Sequence, residues 1–220
     1  MAQEEKEASS RNILASFPLM ALVAANLVPL VGVIAFGWDL GTLMLLYWFE
    51  SAIIGFYNIV KIAIVAKRGA FFLAPFFTVH YGLFMLVHLV FICALFLRDK
   101  AGAGEMFPDS RVIADHVKSS ALAAASLFVS HGISFFVNFV GQKEYRETDP
   151  GTQMGAPYGR IIVMHLTILF GGFVTFLIGP NIPVLVLFVI LKTAADIAAH
   201  RREHLRLALK KIVGASGLRR

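Results

Sequence analysis

Six predominantly apolar runs dominate this chain, at residues 12–36, 40–66, 71–97, 119–140, 160–179 and 182–200. Each is near or above the roughly 20 residues that a helix needs to cross a hydrocarbon core about 30 Å thick. No water reaches the backbone inside lipid, so a spanning segment must satisfy its own hydrogen bonds, and unbroken apolar runs of this length do so as helices. The expected fold is therefore an all-α polytopic membrane helical bundle with six transmembrane helices. Composition agrees: 58% of residues are hydrophobic and only 15% charged, where a soluble domain carries about a quarter charged. The mean hydropathy is +0.74.

The ends differ in character. Residues 1–11 form a short N-terminal segment whose Glu4-Glu5-Lys6-Glu7 precedes a run long enough to span, so no cleaved leader is expected. Residues 201–220 hold seven of the Lys and Arg that give the chain its net charge of +6. Leu205, Leu209, Ile212 and Val213 share one helical face there, against Arg206, Lys210 and Lys211, so the tail is expected to lie on anionic lipid. Nucleic acid is not an expected partner. Counting Arg160 at the edge of the fifth run, fourteen Lys and Arg fall on one side of the runs and four on the other, which places both termini in the cytoplasm by the positive-inside rule. Cys93 is the only cysteine, so neither a disulfide framework nor a covalent haem motif is present.

Five of the six runs carry ionisable residues in their interior: Glu50 in the second, His80 and His88 in the third, His131 in the fourth, His165 in the fifth, and Lys192, Asp196 and His200 in the sixth. An ionised group at the bilayer centre costs at least about 2.5–3.5 kcal/mol, so such residues normally face one another or a wet cavity. On a helical wheel Glu50, Tyr57 and Lys61 form one stripe, as do His131, Ser134 and Asn138, while Lys192, Asp196 and His200 follow at i, i+4, i+8. Depth along each run suggests two overlapping layers. The outer would pair Glu50 with Lys192 near His88; the inner would gather His80, His131, His165, Asp196 and His200.

Several imidazoles and a carboxylate in one cavity form a ligand set for zinc or non-haem iron. His80, His131, His165, Asp196 and His200 are the candidate metal ligands, with Glu50 and His88 as candidate catalytic proton carriers. With one position open, a metal-bound water becomes a nucleophile near neutral pH, and a metal-dependent hydrolase acting on a lipid is the most concrete enzyme reading. Two others use the same residues. A proton or ion pathway would relay charge along Glu50, His88, Lys192, Asp196 and His200. A b-type haem would sit between His80 or His88 and His131 or His165. A non-catalytic assembly subunit is a fourth.

The run of motifs is also distinctive. Leu46-Tyr-Trp-Phe-Glu50, Asn58-Ile-Val-Lys61, Val79-His-Tyr-Gly82, His88, Ser130-His-Gly132 and Asn138 occur in order. They are followed by Glu144-Tyr145, Pro157-Tyr-Gly-Arg160, Met164-His165, Gly171-Gly172 and Lys192 to His200. Over residues 40–200 the chain resembles an uncharacterised prokaryotic multi-pass membrane family, one of the domain-of-unknown-function families. The resemblance implies a bacterial or archaeal inner (plasma) membrane protein and supplies no activity. It puts Arg160 at the cytoplasmic mouth, near Glu144. A looser likeness, to intramembrane zinc hydrolases of the ceramidase and adiponectin-receptor type, would assemble Ser130, Asp196, His80, His165 and His200.

Overall fold

The computed structural model describes residues 31–97 and 107–178. Residues 31–36 are helical, and the account below concerns residues 37–178. This part is all-helical among the described residues. It comprises α1 (Leu40–Ala66), a 3-10 turn (Lys67–Gly69), α2 (Ala70–Phe96), α3 (Ser110–Ser134), a π-helical extension (Phe135–Gly141), a 3-10 turn (Glu144–Arg146), α4 (Pro150–Gly155) and α5 (Tyr158–Ile178). Among the described residues, three helical stretches are long and apolar enough to cross a membrane: Leu40–Phe96, Ser110–Gly141 and Pro150–Leu177. The first folds back on itself at Lys67–Gly69 into a hairpin whose arms, α1 and α2, each have 27 residues.

α1 is the hub and touches every other element. Its first eight residues, Leu40 to Tyr47, are all buried. Beyond them Ser51, Gly55, Asn58 and Ile62 stay buried at spacings of four, three and four, one helical face. Asp39 starts the helix, accepting from both the Thr42 N–H and its hydroxyl at 2.8 Å. That satisfies a backbone donor which the first turn cannot satisfy itself. Across the hairpin the Trp48 indole N–H donates to the Met85 carbonyl at 2.7 Å, and the Tyr81 hydroxyl to the Ser51 carbonyl at 2.8 Å. The Tyr81 ring lies where a side chain at Gly55 would be, so glycine there permits the close approach. Outward positions such as Phe71, Leu122 and Phe176 are more than 80% exposed, an apolar surface suited to lipid and not to water.

α3 runs parallel to α1. The His116 ring donates through Nε2 to Asp39 at 3.1 Å near one end. The Tyr57 hydroxyl donates to the Phe128 carbonyl at 3.1 Å further along, packed against Gly132. α3 begins at Ser110 and not at 119, because Asp109 caps it by accepting from the Arg111 N–H at 2.9 Å. The polar turn containing Arg111, Asp115, His116 and Lys118 is helical despite its low hydropathy. Past Ser134 the helix loosens to π-helical geometry through Gly141, a form that frequently marks functional sites.

The third stretch also starts earlier than hydropathy suggests. Asp149 caps α4 by accepting from the Thr152 N–H at 3.0 Å, and Pro150 occupies the first turn, where its missing N–H costs nothing. α4 packs on α1, with the Gln153 amide donating to Asn58 Oδ1 at 2.6 Å. The chain then breaks at Ala156-Pro157 and resumes as α5. Residues 150–178 thus form one discontinuous span, beginning ten residues before the expected 160.

Candidate functional site

Four polar contacts run along the side of the hairpin that faces α4 and α5. The Gln153–Asn58 amide pair comes first. Next, Arg160 Nη2 donates to Glu50 Oε1 at 2.6 Å, with the side chains 30% and 12% exposed. The Tyr158 hydroxyl meets His80 Nδ1 at 2.6 Å, and His165 Nδ1 lies 3.1 Å from His88 Nε2. The last two rungs, together with Leu95 against Gly172, hold α2 and α5 parallel at a near-constant offset in sequence.

Glu50 and Arg160 form the centre. Glu50 is supplied by the buried face of α1 and Arg160 by the first turn of α5, beside the break at Pro157. His131 on α3 is half-buried and within electrostatic reach of Glu50, Arg160 and Lys61. The Lys61 ammonium lies 4.9 Å from the centre of the Phe139 ring, in the π-helical segment, close enough for a cation–π contact. Titratable groups from α1, α3 and α5 therefore converge on one region, and α2 borders it through His80, which is exposed and stacks on Phe76.

The His88–His165 rung is oriented by a backbone carbonyl. His88 is 2% exposed, and its Nδ1 lies 2.6 Å from the Phe84 carbonyl. A carbonyl only accepts, so Nδ1 carries hydrogen, and in the neutral ring Nε2 presents a lone pair towards His165. The two rings meet edge to face at 85°.

The expected two layers are rearranged. Glu50 meets Arg160, whereas the expected Lys192 lies outside the described residues. His165 meets His88 of the other layer, and does not join His80 or His131. Among the described residues no three His, Cys, Asp or Glu side chains come together as a metal site. Asp196 and His200, the remaining expected ligands, lie outside the described residues, as does the basic tail. Ser130 is exposed on α3. The physical reason is axial offset. Matching the outer ends of the expected spans would set α5 about five residues, or about 7 Å, out of the observed register with α2. Arg160 bonds Glu50, and it lies ten residues into the apolar stretch that begins at Pro150.

Among the contacts outside the expected layers are Asn58 with Gln153, Tyr158 with His80, and Asp39 with His116. Asn58 adjoins Tyr57 of the Glu50 stripe in sequence, and Asp39-x-x-Thr42 is a recognisable N-cap pattern. Gln153 carries no periodic signal, since it sits among Gly and Pro.

No curated protein and no solved structure matches the chain. A family model does, over residues 8–212, and the chain belongs to that family, the family of unknown function DUF6498.

Proposed function

We propose that this protein is a multi-pass membrane protein that conducts protons, or a proton-coupled ion, through the region around Glu50. The observation that carries this reading is the Glu50–Arg160 contact at 2.6 Å beside the break in a span. A carboxylate and a guanidinium withdrawn from water inside an apolar helix bundle are costly, and such residues mark ion and proton paths by default. Broken spans are where transporters place ion and substrate sites, because irregular backbone within a bilayer is tolerated where it is buried in protein or lines a cavity.

In this mechanism Glu50 is the proton acceptor and Arg160 its counter-charge. Taking up a proton neutralises Glu50 and removes the attraction that holds Arg160 to it. His131, within electrostatic reach of both, passes the proton on, and Lys61 sets the local potential. His80 and Tyr158 form the next hydrogen-bonded pair on the far side of Arg160. The six-span arrangement in the inner membrane with both termini cytoplasmic, and a tail on anionic lipid, belong to the same proposal and rest on apolar length and Lys/Arg asymmetry.

Proton flux under an imposed potential, in metal-free proteoliposomes holding a pH dye, tests the reading. Wild-type protein and Glu50→Asp should carry flux, and Glu50→Gln, which cannot ionise, should lose it. Equal flux from Glu50→Gln, or none from wild type, overturns it.

A further inference from the structure

We propose that His88 and His165 form a site for one divalent first-row transition ion, of the zinc, cobalt or copper class. The site goes beyond the proton pathway and does not depend on it.

The argument begins with what orients each ring. The Nδ1–H of His88 is held by the Phe84 carbonyl at 2.6 Å, so its Nε2 lone pair has a fixed direction. A backbone carbonyl on the far ring nitrogen is the usual partner of a metal-bound imidazole, because it sets the tautomer and makes the ligating nitrogen more basic. His165 Nδ1 lies 3.1 Å from that nitrogen, and the rings are inclined at 85°. Nitrogens bound to one ion at about 2.0–2.1 Å stand about 3.3 Å apart at a tetrahedral angle and about 2.9 Å apart at a right angle. The observed separation lies between these values. It is short for the two axial ligands of a haem iron, which stand on opposite sides of the metal, about 4 Å apart.

The same separation also suits a hydrogen bond from His165 Nδ1–H. The two states differ only in which nitrogen of His165 carries the hydrogen. When an ion binds, the hydrogen moves from Nδ1 to Nε2, so both ligands stay neutral and no net proton is released. The surroundings fit a retained ion. His88 is 2% exposed, and α5 is held tightly to α2 by Leu95, whose Cδ1 would lie 3.1 Å from a methyl at Gly172. Imidazole ligands favour zinc, copper, cobalt and nickel over magnesium or calcium. Water completes the coordination shell. Cys93, five residues along α2, points about 140° away from His88 and takes no part.

Cobalt titration of the tag-free, full-length protein in nanodiscs, after chelator treatment, tests the proposal. Wild-type protein and Cys93→Ser should take up one ion per chain, which zinc displaces. His88→Gln and His165→Gln should each weaken binding at least tenfold. X-ray absorption on the wild-type complex should show imidazole scattering, a readout that survives if a variant fails to fold. No ion retained by wild type, uptake unchanged in both histidine variants, or a spectrum without imidazole would each overturn the site and leave a hydrogen-bonded pair. Because flux is measured without metal, failure here and failure of the proton pathway are separate results.

Discussion

Removing either partner of the Glu50–Arg160 pair should destabilise the bundle by about 3 kcal/mol, close to a hundredfold or more in the unfolding equilibrium. At an effective dielectric of about 20, charges about 3 Å apart attract by about 5 kcal/mol. Much of that offsets the cost of withdrawing both groups from water, so the pair's net worth is small. A single substitution is different, since the remaining charge stays withdrawn from water and loses its 2.6 Å partner. Breaking a buried pair this way typically costs about 3–5 kcal/mol, and the 30% exposure of Arg160 places this one at the low end. Replacing both removes that remaining charge as well, so Glu50→Gln/Arg160→Gln should be more stable than the sum of the single effects by about 1–3 kcal/mol. The assay is reversible unfolding in mixed detergent micelles for the four proteins of this cycle. Costs that add to within about 0.5 kcal/mol would refute the coupling and remove the physical basis for treating Glu50 and Arg160 as one centre.

Gly55→Ala should cost about 1–3 kcal/mol by driving a methyl into the Tyr81 ring. Adding Tyr81→Leu should recover part of it in thermal melts, and strictly additive losses would contradict the packing described. Asp39 gives a pH-dependent test. Burial pushes its carboxyl up, but hydrogen bonds from the Thr42 N–H and hydroxyl and the charge of His116 outweigh this and leave it below its ordinary value. Its contribution to stability is thus complete above the unfolded value of about 3.9 and is lost as pH falls through the lower folded value. The group is 62% exposed, so the effect is well under 1 kcal/mol. Asn also caps helices well, so the gap in melting temperature between wild type and Asp39→Asn should shrink on acidification below about pH 4. A gap that stays constant would exclude the link.

The hairpin was legible almost to the residue. The expected 40–66 and 71–97 compare with Leu40–Ala66 and Ala70–Phe96, because Gly37-Trp38-Asp39 and Lys67-Arg68-Gly69 punctuate long apolar runs sharply. The starts of the next two stretches were hidden for opposite reasons. Near Ser110 the helix is too polar for a hydropathy window, although Asp109 caps it. Near Pro150 the helix is too rich in Gly and Pro to look helical, although Asp149 caps it and proline is suited to its first turn. The polar residues themselves could be selected from their cost in lipid, and Glu50, His80, His88, His131 and His165 all line or border the contacts between helices. Their partners could not be chosen, because a helical wheel reports the direction of a side chain and says nothing of how far one helix is slid along another. Arg160 shows this most clearly: a shift of the span's beginning turned a surface charge into the partner of Glu50.

The rungs between α2 and α5 have a mechanical consequence. Tyr158, His165 and Gly172 are seven residues apart, and they meet His80, His88 and Leu95. A seven-residue seam locks two helices axially, as teeth in a rack, with the slight left-handed winding that such a period imposes. Sliding α5 by a single turn would disengage every rung at once, and the next matching register lies about 10 Å away. Piston motion is therefore the stiff coordinate of this pair. The compliant one is a bend at the Ala156-Pro157 break, which lets α4 swing Gln153 away from Asn58 while α5 keeps its rungs on α2 and Arg160 stays on Glu50.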